Sequence, residues 1–379
     1  MKTSLVNLFL LIAISSIQAQ NDSLDKKLSF SGDLRFRIEQ DWNSQLPEGG
    51  MRDNRTRLRL RARVGFSYQA HPNLSIGARI RTGNPQNPQD PHITLGKSKQ
   101  AFGLYQMSFE KIFLRYTQKG FTLNLGKFSF PFEKQNEVFW NDNVYPEGFS
   151  LSYSKSFDHA LLPQSAQLTA GHFLVHSPGN NLSTESYLQA AQLAVALRPA
   201  QISLYAGMFH FEKLPIFPGD NAPCKLDYSI VNVGGEAQLS VKFPLSIGGD
   251  YYHNLSDYSK ISDVSPLFRN QKQGFACFLN YGQLKKKHDL LVRLTYARIQ
   301  KYAIVDYFAQ NDWARWDYSS LGAQGSRLSN FHGLDAKIGY AVGDNITLLL
   351  RAFFVEALVI SSSHQETGNR VRLDLDIRF

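Results

Sequence analysis

Arginine recurs at every second position in the stretch Arg55-Thr56-Arg57-Leu58-Arg59-Leu60-Arg61-Ala62-Arg63-Val64-Gly65-Phe66-Ser67-Tyr68. Leu58, Leu60, Ala62, Val64, Phe66 and Tyr68 hold the alternate positions. A period of two describes a strand, whose successive side chains leave opposite faces. One face is then a ladder of guanidinium groups suited to small anions, and the other is apolar. On a soluble sheet the apolar side packs on a core. In a membrane barrel it meets lipid, and the arginines face water inside.

Other chemistries find little support. A hydrolase needs a Ser beside a His with an orienting acid or amide, and the ten His residues show no such spacing. His172 and His176 are four apart, a spacing that matters on a helix and not on the strand expected there. There is no His-Glu-x-x-His, no paired Cys and no glycine-rich phosphate loop. No catalysis, cofactor or metal is expected. Cys224 and Cys277 are too few for a disulfide framework, and both are expected to be free, with Cys277 facing lipid.

The elements that must position the arginines read as strands throughout. Within 379 residues, 27 Phe and 17 Tyr suit strands and membrane interfaces. Residues 1–19 read as a secretory signal peptide: Lys2 is basic, Leu5 to Ile14 is apolar, and small residues precede a cut near Ala19. Past it no run of 18 apolar residues occurs, so no transmembrane helix is expected. The remaining residues, 20–379, read as one domain. Loss of Lys2 takes the net charge from +9 to +8. An exported chain rarely meets nucleic acid, so the positive charge is better matched to small anions.

Alternation predicts strands at Leu28 to Trp42, Arg55 to Tyr68, Leu74 to Arg81, Glu110 to Thr117, Phe121 to Leu125 and Phe149 to Tyr153. Ten more are predicted near 166–175, 187–197, 201–211, 228–241, 245–253, 273–282, 289–299, 332–342, 346–357 and 369–379. About 16 strands result, joined alternately by short and long connections. The expected fold is all-β: a closed antiparallel transmembrane β-barrel with short periplasmic turns and long extracellular loops. Strands running toward the periplasm end in Tyr68, Tyr116, Tyr153, Tyr281, Tyr340 and Phe379 on the lipid face, as an interface girdle requires. Leu197 and Val241 are exceptions. Alternation also runs to the last residue, Phe379, like the terminal signature that outer-membrane proteins present to their assembly machinery.

Four features carry a family resemblance. They are Ser31-Gly32-Asp33-Leu34-Arg35-Phe36-Arg37 before the Arg-rich strand; Leu125-Gly126-Lys127-Phe128 with Pro131-Phe132; Val138-Phe139-Trp140-Asn141-Asp142-Asn143-Val144-Tyr145-Pro146-Glu147-Gly148; and the alternation into Phe379. The chain resembles the porin family of Bacteroidetes-type outer membranes, most densely over 28–154. Asn311-Asp312-Trp313-Ala314-Arg315-Trp316-Asp317 is a loose match to the Asp-rich loop expected there. The resemblance implies a single-domain barrel in a Gram-negative outer membrane and passive transport, with no substrate specified.

Closing the barrel brings the last strand beside the first. The inward basic residues of this wall are then Arg35, Arg37, Arg55, Arg57, Arg59, Arg61, Arg63, Arg79, Arg81, Lys111, Arg115, Arg370, Arg372 and Arg378. Against these fourteen stand Asp33, Glu39, Asp374 and Asp376, an expected excess of ten that exceeds what inter-strand pairing can absorb. The third long loop carries Glu133, Glu137, Asp142 and Glu147 among Phe128, Phe130, Phe132, Phe139 and Trp140. Folded inward, it would set its acids across the pore from the arginines. The expected function is diffusion of small polar, preferentially anionic, solutes. Alternatives are export of an acidic polysaccharide, or a plugged barrel that binds or adheres. Expected partners are outer-membrane lipid, the barrel assembly machinery and the solutes, and a homo-oligomer is compatible with the sequence.

Overall fold

The computed structural model describes residues 27–97, 101–157, 163–177, 186–197, 201–215, 225–240, 243–313 and 329–379. The signal-peptide residues and Cys224 lie outside them. Seventeen strands follow in order: β1 (Leu28–Trp42), β2 (Arg55–His71), β3 (Leu74–Thr82), β4 (Ile93–Thr94), β5 (Met107–Gln118), β6 (Phe121–Lys127), β7 (Glu147–Ser156), β8 (Pro163–His176), β9 (Ser186–Leu197), β10 (Ile202–Pro215), β11 (Lys225–Ser240), β12 (Leu245–Asn254), β13 (Gln273–Gly282), β14 (Leu290–Ile299), β15 (Phe331–Gly343), β16 (Ile346–Ala357) and β17 (Thr367–Arg378). β4 is a two-residue piece of the second long loop, hydrogen-bonded to β2 at Arg59 and Leu60. The other sixteen form a closed antiparallel barrel in which β17 pairs with β1. Among the described residues no helix is long and apolar enough to cross a membrane; a single 3-10 turn spans Asp306–Phe308.

Alternation sets the two faces. Phe36, Ile38, Leu58, Val64, Phe66 and Leu125 point outward and stay 40–52% exposed on the isolated chain. A continuous apolar belt of this kind is matched to lipid. Cys277 is a free, exposed residue on that outer face. Short turns gather at one end, where Lys119 and Gly120 both take positive φ (47° and 86°) in a two-residue hairpin turn. The barrel seam closes at the same end. Gly32 and Phe379 exchange backbone hydrogen bonds of 2.9 and 3.1 Å. The Phe379 ring covers Gly32 so closely that a Cβ there would sit 2.4 Å from it.

The main hydrophobic core lies inside the barrel, against strands β8 to β16. Phe128, Phe132, Val138, Phe139 and Trp140 of the third long loop are buried against Phe173 (β8), Leu188 (β9), Phe209 and Phe211 (β10), Ile230 (β11) and Tyr252 (β12). Those strands therefore turn apolar residues inward as well as outward where the loop packs on them.

Candidate functional site in the barrel lumen

The register of β17, β1 and β2 sorts the inward charges into five cross-strand rows. From the long-loop end they are Arg370–Asp41–Arg55, Arg372–Glu39–Arg57, Asp374–Arg37–Arg59, Asp376–Arg35–Arg61 and Arg378–Asp33–Arg63. Every row holds two guanidiniums and one carboxylate. The carboxylate moves from β1 to β17 for the third and fourth rows and returns to β1 in the fifth. Each row therefore keeps one positive charge in excess, repeated about every 6.6 Å along the strands.

The pairing is direct. Arg37 donates to Asp374 at 2.6 and 3.0 Å, and Arg35 to Asp376 at 2.5 and 2.7 Å. Asp33 accepts from Arg61 at 2.6 Å and from Arg63 at 2.7 Å. Asp41 accepts from Arg55 and Arg370, both at 2.6 Å, and Glu39 pairs with Arg57. In the first two rows the carboxylates of β1 lie behind the arginines of β2: the Asp41 and Glu39 side chains are buried, whereas Arg55 keeps 32% and Arg57 18% of its side-chain surface.

The expected excess of ten is corrected by four further carboxylates. Asp41 continues the β1 alternation. A bulge at Arg79/Ile80 turns Glu110 inward, 2.5 Å from Arg79. Asp90 of the second long loop pairs with Arg59, and Asp312 of the seventh pairs with Arg370 (2.9 Å) and Arg372. Fourteen basic groups thus face eight carboxylates, an excess of six. Burial works to raise the carboxyl pKa of both loop acids. It is outweighed at Asp90 by the His92 hydrogen bond and the Arg59 charge, and at Asp312 by Arg372 and Arg370, so both stay well below the ordinary carboxylate range. Burial keeps His92, 3.0 Å from Asp90, well below the usual histidine value.

A cavity of about 950 Å³ runs along this wall. Of the expected pore-lining residues, Arg35, Arg37, Arg55, Arg57, Arg59, Arg61, Arg63, Arg370 and Arg372 line it. Arg79, Arg81, Lys111 and Arg115 do not. Arg79 is held by Glu110, Arg81 donates to the Asn87 and Pro88 carbonyls at 2.9 and 3.2 Å, and Arg115 donates to Asn124 at 2.8 Å. Lys111 sits over the Phe113 and Tyr145 rings. Alternation overlooked Lys337 and Arg351, which also line the cavity from β15 and β16. The lining reaches Arg55 and Lys97 at the long-loop end and Leu284, Thr347 and Arg378 at the turn end.

The third loop folds into the lumen opposite this wall. Its backbone N–H groups at Glu133 and Gln135 donate to Gln192 of β9 (2.7 Å) and Asp250 of β12 (2.9 Å). Glu137 and Asp142 line the cavity. Glu133 and Glu147 do not: Glu133 is exposed away from the cavity, and Glu147 belongs to β7 and pairs with Lys127 at 2.5 Å. Three loops meet at Gln89, which donates to the Ala309 carbonyl at 2.6 Å. The Gln89 carbonyl in turn accepts from Asn141 (3.4 Å) and Asn143 (3.3 Å). No sequence signal announces this junction.

At the turn end Tyr116, Tyr153, Tyr281 and Tyr340 are 36–44% exposed and Phe379 68%, with Tyr68 half-buried. All six lie near the ends of strands that lead into short turns or, for Phe379, just beyond the end of β17. Among the described residues no cluster of His, Cys, Asp and Glu could hold a metal ion.

Solved barrels of similar shape are porins. OprB of Pseudomonas putida, in its high-pH structure, is 12% identical with a TM-score of 0.56, over 94% of this chain and 95% of that one. Salmonella typhi OmpF in complex with daunomycin is 10% identical with a TM-score of 0.55, over 93% and 97%. A triple mutant of the Rhodopseudomonas blastica porin is 13% identical with a TM-score of 0.51, over 92% and 100%. At these identities the likeness is one of fold. No curated protein matches the sequence. Residues 39–215, from the arginine wall through the inserted loop to β10, match the family model described as "Putative porin".

Proposed function

We propose that this barrel is an outer-membrane porin through which small polar solutes, anions preferentially, diffuse passively. The observation that carries the proposal is the cavity lined by rows of two guanidiniums and one carboxylate, a positive excess that the loop acids Asp90 and Asp312 offset only in part. Rings of Arg favour anions in water-filled pores, and cations spaced a few ångströms apart offer a permeating anion successive sites rather than one deep trap. Glu137 and Asp142 on the opposite loop supply negative charge across the lumen, so a polar solute is oriented as it passes. The lining acts on a solute by charge and hydrogen bonding, without chemistry. The porin family match and the porin-shaped neighbours support placement in the outer membrane.

Liposome swelling tests this. Vesicles loaded with the purified protein should swell in small neutral sugars and faster in anionic sugar derivatives of the same size. Equal impermeability to neutral, anionic and cationic solutes would overturn the proposal and favour a plugged barrel.

A further inference from the structure

At one level the positive charge continues beyond the β17–β1–β2 wall. Arg293 of β14 lies directly opposite Lys337 of β15, Lys337 opposite Arg351 of β16, and Arg351 opposite Arg372 of β17. Like charges placed opposite one another across strands are destabilising, so four in succession call for compensation. Two have it. Arg351 is bound to Asp335 through two hydrogen bonds of 2.7 Å, and Arg372 is bound to Asp312.

Lys337 and Arg293 do not. Lys337 has no hydrogen-bond or ion-pair partner among the described residues. Arg293 donates to the neutral Gln135 carbonyl at 2.6 Å and lies 3.7 Å over the Phe278 ring. Both line a recess of about 310 Å³ between the third loop and β14–β16. The recess also carries three carboxylates, each engaged elsewhere. Asp335 holds Arg351, and Asp142 holds Lys134. Glu137 accepts from the Asp142 N–H at 3.0 Å and from Gln310 at 3.1 Å, and lies 3.9 Å from Arg351. Lys337, Arg351, Glu137, Asp142 and Gln310 line the main cavity as well, so the recess opens onto it.

We infer that this recess is a binding subsite for a compact oxyanion, a carboxylate or phosphate group held by the Lys337 ammonium and the Arg293 guanidinium. An ammonium and a planar guanidinium together supply the charge-assisted donors such groups take. Access to the recess rests on the lumen being open, as proposed above; binding itself does not require conduction.

Calorimetric titration of the detergent-purified protein at fixed ionic strength tests the subsite, with inorganic phosphate and succinate as separate probes. Saturable binding is expected for at least one probe, weakened about tenfold in Lys337→Gln, the loss of one charge-assisted hydrogen bond. Lys337→Arg should largely restore it, and Arg115→Ala should leave it unchanged. The probe that binds more tightly distinguishes a carboxylate from a phosphate site. No saturable binding by the wild type, or unchanged affinity in a Lys337→Gln protein that retains the heat-modifiable band of a folded barrel, overturns the inference. Binding without channel conductance in a planar bilayer would keep the subsite and reject the porin; conductance without binding would do the reverse.

Discussion

Replacing Asp374 by Ala should destabilise the barrel severely while sharpening its preference for anions. The Asp374 side chain is fully buried. It accepts from Arg37 at 2.6 and 3.0 Å and lies 3.5 Å from Arg35 and 3.7 Å from Arg372. Arg35 keeps Asp376 and Arg372 keeps Asp312, but Arg37, itself buried, is left with only Glu39 at 3.8 Å. Removing one partner of a buried ion pair costs about 3–5 kcal/mol, because the remaining charge is neither solvated nor compensated. Arg115→Ala is the control. It deletes an exposed guanidinium with one hydrogen bond to Asn124 and should cost about 1 kcal/mol or less. Urea unfolding of both variants in lipid vesicles, followed by the heat-modifiable band, measures the difference. In the bilayer, Asp374→Ala adds one uncompensated positive charge to the third row, so anion preference should rise. Equal stability of the two variants would refute the claim that buried carboxylates brace the arginine wall.

Further outcomes follow from the loops. Phe139 is 3% exposed, stacked on Tyr252 at 5.2 Å and edge-on to Phe209 at 5.0 Å. Phe139→Ala should cost about 3–5 kcal/mol of seating energy for the third loop and raise single-channel conductance; unchanged conductance would show that this loop does not narrow the lumen. Asp312 fixes the pH dependence of the seventh loop. Its folded-state pKa lies well below the unfolded value because the Arg372 and Arg370 charges outweigh burial. Its contribution is therefore complete above about pH 3.9 and is lost only as pH falls through the lower folded value. Amide protection of residues 301–313, corrected for intrinsic exchange, should hold from pH 7 to pH 4 and fall at pH 7 in Asp312→Asn. Loss of protection in the wild type near pH 5 would contradict the pairing.

Much of this architecture is legible from two-residue alternation, because lipid outside and water inside impose opposite demands on successive side chains. Leu28–Trp42 appears with the limits alternation gives it, and the sixteen barrel strands close as expected. The arginines of β2 face the lumen for the same reason. Legibility weakens where the inner face is not wet. Phe173, Phe209 and Tyr252 point inward because the third loop packs on them, and nothing local in β8, β10 or β12 says so. Alternation undercounts the acids for three reasons. Asp41 obeys the alternation that identifies Asp33 and Glu39 but sits beside the strand end. Glu110 is turned inward by a bulge that adds one residue on β5. Asp90 and Asp312 come from loops, whose route into the lumen is set by tertiary contacts such as the Gln89 junction. Glu133 and Glu147 show the converse: a carboxylate on an inserted loop faces the cavity only where that loop turns it there.

The sign of the reversal potential in a planar bilayer under a potassium chloride gradient tests the central claim most directly. Wild-type channels should be anion-selective. Arg55→Ala combined with Arg57→Ala, which removes the two long-loop-end β2 arginines with 32% and 18% side-chain exposure, should shift the potential toward zero with the barrel still folded. Cation selectivity in the wild type, or a reversal potential unmoved by the double substitution, would contradict a lumen whose selectivity is set by the excess guanidinium charge of its rows.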